Sequence, residues 1–71
     1  MVSLVEMNNR RNATFAIDST ADIVKLPTTK KYGTDEVSTV QPIVSGSAAY
    51  LTNGTLDIYI LNGETDTWIK S

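Results

Sequence analysis

Gly46-Ser-Ala-Ala-Tyr-Leu-Thr-Asn-Gly-Thr-Leu-Asp-Ile-Tyr-Ile-Leu-Asn-Gly-Glu-Thr-Asp-Thr-Trp-Ile-Lys-Ser71 decides how this chain is read. Two Asn-Gly pairs, Asn53-Gly54 and Asn62-Gly63, interrupt runs rich in Ala, Leu, Ile, Tyr and Trp. Asn and Gly both accept the positive φ angles of a type I′ turn, so each pair predicts a hairpin. Three strands follow, over 47–52, 56–61 and 66–70. A two-residue turn at Asn53-Gly54 pairs Leu51 with Leu56, Tyr50 with Asp57, Ala49 with Ile58 and Ala48 with Tyr59. A four-residue loop over 62–65 pairs Tyr59 with Trp68 and Ile58 with Ile69. Because side chains alternate along a strand, one face of this meander collects Ala49, Leu51, Leu56, Ile58, Ile60 and Ile69. The opposite face collects Ala48, Tyr50, Tyr59 and Trp68.

The rest of the chain has to cover this ribbon. Val2, Leu4 and Val5 make 1–7 a strand or an extended arm, with 1–12 as the arm's full extent. Asn8–Asn12 is turn-like, and Ala13–Ile17 has strand composition around Phe15. If both runs are strands, they pair as a loose hairpin. Ser19, with Asp22 three residues on, resembles a capping box and starts the one short helix, which Pro27 ends. Residues 28–39 are polar around a turn at Gly33 and read as a binding loop or a disordered stretch. Val37–Val44 regains β-branched residues, and Pro42 confines it to an edge or a strand end. The expected fold is mainly β: one small antiparallel meander or sandwich-like domain over residues 1–71, with at most one short helix.

A chain of 71 residues buries little surface on folding and is usually stapled by disulfides, a metal or a partner. It has no Cys and no His, which removes disulfides and the common zinc sites and leaves association as the staple. The same absence rules out Ser-His and Cys-His nucleophilic catalysis. Asp57, Glu64 and Asp66 read as turn and surface carboxylates rather than an acid/base pair. Asn62–Asp66 lacks the ligand spacing of an EF-hand, and the glycines form no phosphate loop. No catalytic residue, metal or cofactor is expected.

The net charge of −2, with Arg10-Arg11 and Lys30-Lys31 as isolated basic pairs, points away from nucleic acid. No apolar run approaches the roughly 20 residues that span a bilayer, and Met1–Asn12 lacks the pattern of a secretory signal. The sequons at Asn12 and Asn53 are accordingly read as turn chemistry. Tyr50, Tyr59, Trp68 and Ile69 are the candidate interface residues, since Tyr and Trp are enriched as interface anchors. The competing reading makes the aromatic face a second core layer. Base stacking would need positive charge beyond Lys70, and carbohydrate stacking stays open.

The pattern Thr20-Ala-Asp22-Ile-Val-Lys-Leu26-Pro27-Thr28, then Gly46-Ser47-Ala48-Ala49, then Asp57-Ile-Tyr59-Ile-Leu61, then Thr67-Trp68 resembles small virion proteins of tailed bacteriophages and prophages of Gram-positive bacteria. The resemblance spans roughly residues 19–70. It implies a non-enzymatic structural role, as a capsid decoration or head-fibre-type accessory, or as a tail or baseplate component. It also implies the major capsid protein or other virion proteins as partners, with self-association, and a place in the virion after assembly in the host cytoplasm. A small soluble module that binds a host protein or a carbohydrate is the alternative.

Overall fold

A computed structural model describes all 71 residues. The chain folds as one five-stranded sheet in the order β1-β2-β3-β4-β5, with β1 Val2–Met7, β2 Ala13–Ile17, β3 Ala48–Leu51, β4 Ile58–Asn62 and β5 Thr67–Lys70. The architecture is mainly β, as expected. It departs from the expected antiparallel meander in one pairing, because β2 and β3 run parallel. Parallel neighbours need a long crossover, and residues 18–47 supply it.

The N-terminal hairpin forms within the chain. β1 pairs antiparallel with β2, with a bulge between Leu4 and Glu6. The turn at 8–12 is built as its composition suggests: Asn8 Oδ1 accepts from the Arg10 and Asn12 amides, and Arg11 takes a φ of 64°. The Arg11 guanidinium then reaches the carbonyls of Gln41 and Pro42, which ties the turn to the far end of the crossover.

The crossover holds two short 3₁₀ helices, Thr20–Lys25 and Asp35–Val37. Ser19 caps the first, its hydroxyl accepting from the Ala21 amide. Asp22 does not close a capping box. It is buried beneath the N-terminus, where its Oδ2 lies 2.6 Å from the Met1 ammonium and its Oδ1 3.3 Å from Lys25 Nζ. Leu26 leaves the helix with an extended backbone, as a residue before proline should. Val37–Val44 forms no strand. Val37 and Ile43 point into the core instead, and the Ile43 amide bonds the Thr28 carbonyl.

One face of the sheet receives this crossover. Val2, Ala13, Phe15, Ile17, Ala49, Leu51, Tyr59 and Leu61 meet Leu26, Val37 and Ile43 in a single core, with Ile23, Val40 and Trp68 packed at its margin. Phe15 is fully buried at its centre.

The turn-derived register is corrected in both hairpins. β3 and β4 pair Ala48 with Ile60, Ala49 with Tyr59 and Tyr50 with Ile58, one residue away from the expected pairing. Asn53 does not adopt positive φ, so there is no type I′ turn. The loop widens to residues 52–57, closed by the Leu51 amide on the Asp57 carbonyl, with Gly54 at φ 85° and Leu56 at φ 54°. β4 and β5 pair Leu61 with Trp68 and Ile60 with Ile69, two residues from expectation. Here Asp66, not Asn62 or Gly63, takes the positive φ, and Asn62 Oδ1 accepts from the Glu64 amide.

A slip of one residue exchanges the two faces of a strand, and a slip of two preserves them. Ile58, Ile60 and Ile69 therefore share a face as expected, and Tyr59 shares one with Trp68. Their partners in β3 are exchanged. Ala49 and Leu51 lie with Tyr59 and Trp68 on the covered face, and Tyr50 lies with the isoleucines.

Candidate docking surface: the open face of the sheet

Nothing in the chain covers the second face. Its residues form cross-strand rows: Thr14, Ala48, Ile60 and Ile69 in one, and Ala16, Tyr50 and Ile58 in the next. Ile58 is 47% exposed, Ile60 36% and Ile69 47%, while Tyr50 is half-buried among its neighbours. Single exposed aliphatic residues are ordinary on protein surfaces. Three isoleucines and a tyrosine adjoining on one flat face form a contiguous apolar patch of the kind that marks a contact surface. A shallow depression of about 470 Å³, bordered by Gly46, Ile60, Asn62 and Ile69, marks one end of it.

The four candidate interface residues divide between the faces. Tyr50 and Ile69 stand on the open one. Tyr59 is in the core, opposite Ala49. Trp68 is half-buried on the covered side, edge-on to Phe15 with ring centroids 6.2 Å apart and planes at 85°. Its Nε1–H donates to the Pro27 carbonyl at 3.1 Å. The expected single aromatic face is thus corrected: Tyr59 and Trp68 lie on the covered side, apart from Tyr50, which shares the exposed face with Ile58 and Ile60 of the expected aliphatic set. Their strict alternation with Tyr59 and Leu61 was visible in sequence. Which half of that alternation the crossover would cover was not.

The carboxylates have structural partners. The Met1 ammonium lies 2.5 Å from Asp18 and 2.6 Å from Asp22, and Lys25 bridges Asp22 and Asp35. Hydrogen bonds from the Met1 ammonium, with smaller help from Asp18 and Lys25, hold the Asp22 carboxyl well below its ordinary range. The same bonds to Asp18 and Asp22 raise the ammonium. Glu36 is lowered by the Val2 amide that it accepts at 2.7 Å. Asp66 accepts from the Thr29 hydroxyl and amide and from the Thr28 hydroxyl, and the Thr29 hydroxyl is the main cause of its lowered value. Asp57 pairs with Lys70 at 3.3 Å. No group of three or more His, Cys, Asp or Glu residues has a geometry that could hold a metal ion.

A cleft of about 400 Å³ lies between the crossover and the start of β5, lined by Ile23, Leu26, Tyr32, Asp66 and Trp68 among others. No helix is long and apolar enough to cross a membrane. Comparison with protein-family models, curated proteins and solved structures found no match. The fold and the site together define a small β-domain with one covered and one open sheet face.

Proposed function

We propose that this chain is a non-catalytic assembly module whose open sheet face docks on a larger body, and that this body is a bacteriophage particle. The observation that carries the docking reading is the apolar face of Tyr50, Ile58, Ile60 and Ile69, which no segment of the chain covers. The choice of particle rests on the sequence resemblance around Thr20–Thr28, Gly46–Ala49, Asp57–Leu61 and Thr67–Trp68. In this reading the domain decorates the capsid or belongs to a head fibre, and its partner is the major capsid protein. A tail or baseplate position is the second placement. The size fits such a role, because a symmetric lattice supplies each small subunit with neighbours that complete its buried surface.

Co-sedimentation with empty capsids and with isolated tails tests the proposal. The wild-type chain is expected to bind one of them. A variant carrying Ile58→Glu and Ile60→Glu is expected to stay folded and lose that binding, because it places carboxylates on the contact face. Retained binding by the folded double variant would remove the open face from the argument.

The cleft beside Tyr32 and Trp68 favours a second reading, a soluble module for a host protein or a carbohydrate, since aromatic-lined clefts suit such ligands. That reading expects abundant free protein in infected cells and none in purified particles. Mass spectrometry of the particles separates the two.

A further inference from the structure

The two edges of the sheet are not equivalent. At the β1 edge, the Val2 amide faces away from β2 and is taken by the Glu36 carboxylate at 2.7 Å. The 3₁₀ helix Asp35–Val37 packs alongside, and the bulge between Leu4 and Glu6 breaks the strand's regularity. Those are the devices that stop a strand edge from pairing with another chain.

β5 has no such cover and no bulge; only its shortness and Lys70 guard it. The Ser71 amide donates to the Ile58 carbonyl, which makes 58/71, 60/69 and 62/67 the hydrogen-bonded pairs of the β4–β5 ladder. The amides and carbonyls of Trp68 and Lys70 therefore point away from β4. Neither residue makes a backbone hydrogen bond outside the sheet. Four strong backbone groups thus stand unpaired along one straight, unbulged edge.

We infer that the β5 edge pairs antiparallel with β5 of a second copy, joining two five-stranded sheets into one of ten strands. The pattern of outward groups selects the register. With Ile69 facing Ile69 of the second copy on the two-fold axis, Trp68 of each chain lies opposite Lys70 of the other. All four outward amides and carbonyls are then satisfied.

The side chains are complementary in that register. Lys70, which pairs with Asp57 in its own chain, is brought beside the indole of the second copy's Trp68, where an ammonium can lie against the ring near Asp66. The antiparallel arrangement keeps the two Lys70 ammonium groups off the same cross-strand pair. The two Ile69 side chains adjoin, so the open faces merge into one apolar surface. The protected β1 edge prevents further addition, and the assembly closes as a two-fold dimer instead of growing into a filament. This inference uses the edge of the sheet and stands apart from docking through its face.

Light scattering on the full chain across micromolar to millimolar concentration is expected to show a monomer–dimer equilibrium. Lys70→Pro deletes an outward amide that the monomer does not use, together with the Lys70–Asp57 ion pair, and Lys70→Ala is the control that removes the side chain alone. The proline removes two intersubunit hydrogen bonds per dimer and should raise the dissociation constant about thirtyfold, with the circular dichroism unchanged. The chain has no Cys, so a single introduced thiol reports proximity directly. Ile69→Cys should form an intersubunit disulfide on mild oxidation, whereas Ile58→Cys should not. The Ile58→Glu, Ile60→Glu variant should dimerise like the wild type, which separates this contact from face docking.

A chain that is monomeric at millimolar concentration would overturn the inference. So would a dimer that tolerates Lys70→Pro but is lost on Ile58→Glu, Ile60→Glu, since that pattern means the faces stack. Amide shifts at Trp68 and Lys70 on adding an apolar peptide, with no self-association, would assign the edge to a foreign strand and exclude the second copy.

Discussion

Trp68 joins the last strand to the crossover through two different contacts, its ring edge on Phe15 and its Nε1–H on the Pro27 carbonyl. Trp68→Ala should cost about 3 kcal/mol in urea unfolding, the lower end for a large aromatic residue because the indole is half-buried. Trp68→Phe keeps the ring contact and orphans the Pro27 carbonyl, so about 1 kcal/mol is expected. Equal losses for the two variants would mean that the ring contact contributes nothing. Asp22 is the other residue whose removal reaches beyond its own position. Its folded carboxyl lies below the ordinary 3.8, so its stabilisation is complete above that value and disappears as pH falls toward the depressed one. The Met1 ammonium lies above its ordinary 8.0, so its contribution is complete below pH 8 and is lost as pH rises through the raised value. Melting temperature plotted against pH should thus form a plateau between about 4 and 8. Asp22→Asn should lower the plateau and flatten both limbs, and limbs as steep as in the wild type would refute the pairing.

Among the elements, the β3–β4 connection shows most clearly why turn chemistry misjudged register. Asn53-Gly54 is the stronger turn signal, yet the chain reverses over six residues, with Leu56 in the left-handed region and 69% exposed. A leucine there is strained and gains little from burial. Leu56→Asn should stabilise the protein by a few tenths to about 1 kcal/mol, because Asn tolerates that conformation. A loss of stability would refute the argument from strain. Gly33 illustrates the opposite constraint. A Cβ there would lie 2.4 Å from the Val37 carbonyl oxygen and 2.8 Å from Val37 Cγ2, so Gly33→Ala must displace the second 3₁₀ helix. A destabilisation of roughly 1–3 kcal/mol is expected by chemical denaturation. The strands themselves were legible: all five fall on expected strand segments to within a residue or two, whereas the β-branched run Val37–Val44 forms none. The second hairpin was misplaced by two residues, which left its faces intact. The first was misplaced by one, which exchanged the partners of Tyr50 and Leu51.

At the scale of the whole molecule, the order of the strands follows from a crossover that composition did not reveal as one. Residues 18–47 contain no α-helix, and their apolar residues (Leu26, Val37, Ile43) are spaced too irregularly to announce a layer. That layer is nevertheless what assigns the faces, since it can seal only one side of a five-stranded sheet. The alternation of Ile58, Ile60 and Ile69 against Tyr59, Leu61 and Trp68 was local, written in the two-residue period of extended chain. So were the approximate places of the reversals, at 8–12 and near Asn53-Gly54 and Asn62-Gly63, though not the lengths of the last two, and the lack of Cys and His that limits the chemistry. Two things were not local: the parallel join of β2 to β3, and the side on which the crossover packs. Both depend on long-range burial of Phe15, Leu26, Val37 and Ile43 in one core, an energy that no short window of residues contains. That packing moved Tyr59 and Trp68 to the covered side, exposed the isoleucines with Tyr50, and left β5 as the uncovered edge.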